Sequence, residues 1–217
     1  EDKNNPKVTR KDAQYLIDAA NKMFPNKELD ISDILSSWSG IRPLIHEEGK
    51  KTSELSRKDE IFISDSGLIT IAGGKLTGYR LMAKKVIDLI GKQLNINHKC
   101  TTQDIKISGG EFETPDLVDS FILSIISRLK SLQIAEKKAE YLVRTYGKQA
   151  NSILDKFENE KFNYLVEAEV WFSLRYDSTI NLIDFFLRRT GKINFEPNIV
   201  LKEAKITLSQ FVKYLNW

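Results

Sequence analysis

The side chains best placed to do chemistry lie in Leu68–Arg80, which reads Leu-Ile-Thr-Ile-Ala-Gly-Gly-Lys-Leu-Thr-Gly-Tyr-Arg. An apolar run enters two glycines, a lysine and then a helical pattern. Backbone N–H groups left free at a helix start, together with the helix dipole, favour negative charge or an electron-rich ligand edge. Gly73 and Gly74 let the backbone approach such a ligand without a Cβ, Lys75 brings a point charge and Thr77 a hydroxyl. By themselves these residues equally fit a tight strand-to-helix turn carrying a surface lysine. They do not make a nucleotide P-loop: that motif needs glycine where Ile69 stands and Ser or Thr where Leu76 stands. No GxGxxG occurs anywhere in the chain, so no complete dinucleotide-binding βαβ unit can be assembled.

A second candidate is Arg42 in Ser-Ser-Trp-Ser-Gly-Ile-Arg-Pro-Leu, residues 36–44. An arginine in an apolar stretch needs a partner if buried. A substrate phosphate or carboxylate would suit its planar fork, and an internal ion pair with a glutamate is the commoner outcome. His46 follows in a polar turn with Glu47, Glu48 and Lys50, which fits a solvated loop histidine better than a base. His98 falls in a polar connection and is assigned nothing. Cys100 is the single cysteine, so no intramolecular disulfide can form, and with two histidines the usual structural zinc sites cannot be built.

The elements that must position these residues can be read from pattern. Thr9 and Asp12 form a weak capping box before a helix over Lys11–Phe24. Ile34–Ile45 reads as a strand with a turn near Gly40. Ile61–Ile63 and Leu68–Ile71, separated by Asp65-Ser66-Gly67, read as strand, turn and strand. A helix over Leu76–Leu94 follows, with apolar and basic faces, Lys84 and Lys85 being solvated. After the polar stretch Asn95–Thr102 the pattern is helical throughout. Thr114-Pro115 starts a helix, and further helices fit Ala135–Tyr146, Ala150–Phe157, Asn163–Tyr176, Thr179–Arg189 and Pro197–Leu215. The aromatic residues Trp171, Phe172, Phe185, Phe186 and Phe211 fit core positions. The fold class is α+β, a small strand and helix piece over 1–100 followed by an all-helical domain over 101–217.

The 217 residues carry 33 basic and 30 acidic side chains, a balance too even to argue for nucleic acid. No apolar run approaches the roughly 18 residues that cross a bilayer. The expected class is a soluble, cytoplasmic protein. Glu-Asp-Lys-Asn-Asn-Pro at the start has no signal core and reads as an internal boundary of a longer chain or a trimmed end.

Three segments in order carry a family resemblance: Trp-Ser-Gly-Ile-Arg-Pro-Leu, then Ser56-Arg57-Lys58-Asp59, then Gly-Leu-Ile-Thr-Ile-Ala-Gly-Gly-Lys-Leu-Thr-Gly-Tyr-Arg. Together they resemble the C-terminal part of the FAD-dependent glycerol-3-phosphate dehydrogenases. Trp171–Asp177 and Asp184–Thr190 are similar to that family's helical domain, so the resemblance spans nearly the whole chain. It implies that Arg42 faces the substrate beside the flavin and that Lys75 contacts both. It further implies that Gly73, Gly74, Leu76 and Thr77 form the loop closing over the flavin ring, and that Arg57 helps with the substrate phosphate. The short connection between Leu44 and Arg57 favours a dehydrogenase over the oxidase relatives. Asp177 departs from the family's usual glutamate.

The implied reaction of the intact enzyme moves a hydride from C2 of glycerol 3-phosphate to flavin N5, yields dihydroxyacetone phosphate and passes electrons to quinone. FAD would be held mostly by an N-terminal part, with no metal. An oligomer and a peripheral contact at the inner face of the membrane are compatible with the family. Two other readings compete. The helical domain could be an interaction module without activity, and the Gly-Gly-Lys turn could serve a free-standing anion-binding protein.

Overall fold

The computed structural model describes residues 4–41, 45, 59–96 and 98–215. Contacts within the chain divide it into two units, Glu1–Pro6 with Gly40–Ile105 and Lys7–Ser39 with Lys106–Trp217.

In the first unit, β1 (Asp59–Ile63) pairs antiparallel with β2 (Ile69–Gly73), with Asp59 opposite Gly73 and Ile63 opposite Ile69. The turn between them is set by short polar side chains. Ser64 N–H donates to Leu68 O at 3.0 Å, Gly67 N–H donates to Ser64 O at 2.9 Å, and Ser64 Oγ accepts from Leu68 N–H at 3.1 Å. Gly67 takes a φ of +83°, where a Cβ would be strained. A single 3₁₀ turn, Leu76–Gly78, then leads into α2 (Tyr79–Gln93). Strand, turn and strand therefore stand where the alternation put them, and the helix enters through a 3₁₀ turn.

The second unit begins with α1 (Arg10–Met23). Its capping box is complete: Asp12 N–H donates to Thr9 Oγ1 at 3.3 Å and Thr9 N–H donates to Asp12 Oδ2 at 2.9 Å. Its further helices are α3 (Asp116–Ser131), α4 (Lys138–Tyr146), α5 (Ala150–Asn159), α6 (Leu165–Tyr176), a π-helix (Asp184–Arg189), α7 (Lys192–Phe195) and α8 (Pro197–Leu215), with 3₁₀ turns at Ile31–Asp33 and Gly147–Gln149.

Helix α6 is the axle of this unit because it is apolar on more than one side. Leu165, Ala168 and Phe172 join Ile125, Leu129, Leu142 and Ile153 in one core. Val166 and Val170 join Phe185, Phe186 and Phe211 in a second. A helix apolar all round must be buried all round, and the two cores clamp it between α3–α5 and α8. On the outer side Arg128 of α3 ties to Asp155 and Glu158 of α5, each at 2.6 Å. No helix among the described residues is long and apolar enough to cross a membrane.

Three readings of the sequence require correction. Ile34–Ile41 and Ile45, the described residues of the expected strand, form no strand. Ile31–Asp33 is a 3₁₀ turn and the following residues make no ladder. Side chains hold the segment instead: Ser36 Oγ donates to Asn194 O, and the Trp38 ring meets the Phe195 ring edge-on at 5.6 Å. Contacts also group residues 7–39, α1 included, with the helical unit rather than with β1 and β2, so the first 100 residues do not cluster as one piece. The helix expected over Thr179–Arg189 is π-helical over Asp184–Arg189, closed by Thr190 N–H donating to Phe185 O at 2.9 Å. The wider turn lets the consecutive Phe185 and Phe186 both reach the core.

Candidate functional site

The turn after β2 is built by glycine. Gly73 and Gly74 take φ of +75° and +85°, in the left-handed region that residues with a Cβ occupy at a cost. A Cβ on Gly74 would also lie 2.5 Å from Met82 Sδ and 3.4 Å from Asp59 Cβ. Two such residues in succession reverse the strand sharply. Lys75 follows in extended backbone (φ −94°, ψ 143°), and its carbonyl accepts from Gly78 N–H at 2.8 Å to start the 3₁₀ turn.

The consequence is a lip of backbone and side chain open to solvent. Lys75 and Thr77 are exposed, and Leu76 is 90% exposed. Neither Lys75 nor Thr77 has a side-chain hydrogen bond or an ion pair among the described residues. A leucine displayed so fully, between a lysine and a hydroxyl that have no partner among the described residues, presents both an apolar and a cationic contact to a ligand. In the same unit Leu68, Tyr79, Leu81 and Ile87 are also exposed.

The base of the turn is pinned electrostatically. Lys85, expected on a solvated face, reaches back from α2 to Asp59 at 2.6 Å, at the register position opposite Gly73. Its hydrogen bond holds the Asp59 carboxyl below the usual aspartate range. Lys84 pairs with Asp88 one turn along the same helix.

Of the residues marked from sequence, Gly73, Gly74, Lys75, Leu76 and Thr77 are thus brought together on one turn. Arg42 and Arg57 lie outside the described residues, as does His46. Among the described residues no cluster of His, Cys, Asp and Glu could hold a metal ion. The turn also suits a flavin edge. It offers backbone without Cβ, a cation to balance charge on the ring or substrate, and an apolar side chain to lie against a ring.

Sequence reasoning missed a second polar constellation, in the helical unit. Glu169 is 1% exposed, at the centre of α6. Its Oε1 accepts from Tyr141 Oη at 2.6 Å and Tyr146 Oη at 3.0 Å. Its Oε2 faces Lys192 Nζ at 3.5 Å, and Lys192 also meets Glu203 Oε2 at 2.9 Å. Burial drives both tyrosine hydroxyls above their ordinary range and the Glu169 charge adds to it. For Lys192 burial pulls the pKa down, but Glu169 and Glu203 outweigh it and the net shift is upward. The sequence signal was available: Glu169 follows Ala168 and sits between Val166 and Val170, so helical spacing alone puts a carboxylate in the core.

Comparison with known proteins bears on both units. Residues 100–217 match the family model described as the C-terminal domain of alpha-glycerophosphate oxidase. The chain is 41% identical over 210 residues to the aerobic glycerol-3-phosphate dehydrogenase of Bacillus subtilis (strain 168), covering 90% of this chain and 38% of that protein. It is 39% identical over 218 residues to the enzyme of the same name from Staphylococcus aureus (strain USA300), covering 95% of this chain and 39% of that one. The X-ray structure of the glycerol-3-phosphate dehydrogenase from Bacillus halodurans complexed with FAD superposes with a TM-score of 0.81 at 34% identity. That match covers 98% of this chain and 42% of the other. The chain therefore spans well under half the length of the relatives it matches.

Proposed function

This chain belongs to the alpha-glycerophosphate oxidase and aerobic glycerol-3-phosphate dehydrogenase family, and from that premise we propose that it forms the C-terminal part of a flavoenzyme oxidising sn-glycerol 3-phosphate to dihydroxyacetone phosphate. In this reading the unit that carries β1, β2 and α2 completes the flavin and substrate site, and the other unit is a helical domain. FAD, when bound, supplies the hydride acceptor, and quinone takes the electrons onward.

The observation that carries the reading is the lip at Gly73–Thr77, where successive positive-φ glycines present Lys75, Leu76 and Thr77 outward. Lys75 would pair with the substrate phosphate or with charge developing as the alcohol is oxidised, and Leu76 would lie against the ring. Arg42 would hold the phosphate through its planar fork, with Arg57 contributing a second cation. Peripheral membrane contact and oligomerisation belong to the same proposal, since quinone is a membrane-soluble acceptor. The helical domain could supply either contact while serving as an interaction module.

Visible spectroscopy on two polypeptides tests the reading. The intact protein should be yellow, and glycerol 3-phosphate should bleach its flavin under anaerobic conditions. The 217-residue chain alone should hold no stoichiometric flavin, because the family's glycine-rich pyrophosphate-binding unit is not within it. An intact protein that is colourless and inert to glycerol 3-phosphate would refute the proposal, and so would a chain that retains FAD and reduces a dye by itself.

A further inference from the structure

The helical unit holds a cavity of about 610 Å³ that is separate from the lip described above, and it is lined by three arginines. Arg144 comes from the last turn of α4, and Arg188 and Arg189 from the end of the π-helix. Burial of Phe185 and Phe186 toward the core leaves this consecutive pair exposed on the opposite side. A π-turn gives up good helical geometry, and such turns recur where side chains must be aimed at a function.

The far wall of the cavity is fixed. Lys148 N–H donates to Gly109 O at 2.9 Å, and Gly109 N–H donates to Glu111 Oε1 at 3.0 Å. A Cβ on Gly109 would lie 2.6 Å from Tyr146 O, and one on Gly147 would collide with the Gly109 carbonyl. The two segments therefore cross as closely as backbones can, and only glycine permits it.

The arginines are only loosely engaged. Arg144 holds Glu140 at 2.7 Å in an exposed pair of the kind that exchanges readily with solvent or ligand, and the exposed Arg188 holds the half-buried Asp184 at 2.6 Å. Arg189 makes no hydrogen bond or ion pair among the described residues, although its charge reaches Asp177 in the same cavity. We propose that this cavity binds a small phosphate ester, its dianionic head held by Arg144 and Arg189 with Arg188 turning in from Asp184. A phosphate offers oxygens in three directions and can accept from forks arriving from α4 and the π-helix at once, which a planar carboxylate meets less well. The Ser108 and Thr145 hydroxyls in the same lining are suited to the ester's remaining oxygens. Asp177 is the one carboxylate in that lining. Burial raises its pKa although the Arg189 charge acts the other way, so Arg189 partly offsets the one negative charge in the lining.

Calorimetric titration of the 217-residue chain with inorganic phosphate, glycerol 3-phosphate and citrate, at one ionic strength and against chloride, tests the site. Saturable binding of both phosphates, tighter than citrate, is the expected result. Arg189→Met and Arg144→Met should each weaken it about tenfold. Asp177→Asn should tighten it, and Arg175→Met, an exposed change outside the cavity, should leave it alone. Thermal melts of each variant establish that it is folded. The inference is overturned if neither phosphate binds at about 10 mM, a level that occupies even a weak millimolar site. It is equally overturned if every variant responds alike. Binding by the chain but not by the intact protein would show the arginines to be docking groups covered by another part of the protein, and would overturn the ligand site too.

Discussion

Replacing Lys192 with methionine isolates the part of the helical unit that sequence reasoning did not find. The ammonium is 6% exposed and neutralises Glu169, itself 1% exposed, at 3.5 Å and Glu203 at 2.9 Å. Methionine keeps most of the aliphatic stem, so packing beside Tyr141 and Phe185 largely survives while the charge is lost. What remains is a buried carboxylate with two tyrosine donors and no cation. Breaking a buried pair in this way typically costs about 3–5 kcal/mol. At roughly 2–4 °C per kcal/mol for a chain of this size, the melting temperature should fall by about 6–20 °C. Glu169→Gln in the same molecule removes the stranded charge and keeps an oxygen for Tyr141 and Tyr146, so the double variant should recover more than half of the loss. Because the folded pKa of Lys192 is raised, its contribution is complete below the ordinary lysine value of about 10.4 and fades only as pH rises through the higher folded value. Neutral-pH urea and thermal unfolding measure all three proteins. A single variant within about 1 kcal/mol of the parent would refute the reasoning, being below the range for breaking a buried pair. A double variant no better than the single would refute it as well.

Two further outcomes follow from the geometry. Asp177→Asn should melt higher than the parent at pH 7. Burial raises the folded pKa, so the parent is penalised once the carboxyl ionises, and the difference should close as pH falls through the ordinary aspartate value of about 3.9; a gap independent of pH would contradict this. Gly74→Ala puts a Cβ at φ +85° against Met82 and should cost about 1–2 kcal/mol in a chemical melt, with loss of flavin from the intact protein. An unchanged melt would show that the turn relaxes freely.

How far the sequence disclosed the molecule depended on whether the signal was local. The β1–β2 hairpin was legible because Ser64, Asp65 and Gly67 punctuate two apolar runs, and the start of α8 was legible because Pro197 can open a helix but not continue one. The capping of α1 needed only Thr9 and Asp12. The misread elements were decided at a distance. Ile34–Ile41 is held by Asn194 and Phe195, more than 150 positions away, and the π-turn at Asp184–Arg189 answers to the core that receives Phe185 and Phe186. At the candidate site, the glycines and Lys75 could be marked from residue type and order. Their meaning could not, because a sharp cationic turn serves structure and ligand alike, and the ligand reading is a proposal that rests on the family resemblance.

The central claim, that Lys75 on its glycine turn and Arg42 contact the substrate, is met most directly by steady-state oxidation of glycerol 3-phosphate by the intact protein. Lys75→Met and Arg42→Lys should each lower kcat/KM by roughly 10²–10³, the effect of losing a charge-assisted contact worth about 2.7–4 kcal/mol in the transition state. Lys75→Met should lower flavin content as well, and Lys202→Met, an exposed change on α8, should do neither. Near-parental kcat/KM and flavin content in both Lys75→Met and Arg42→Lys would contradict the account.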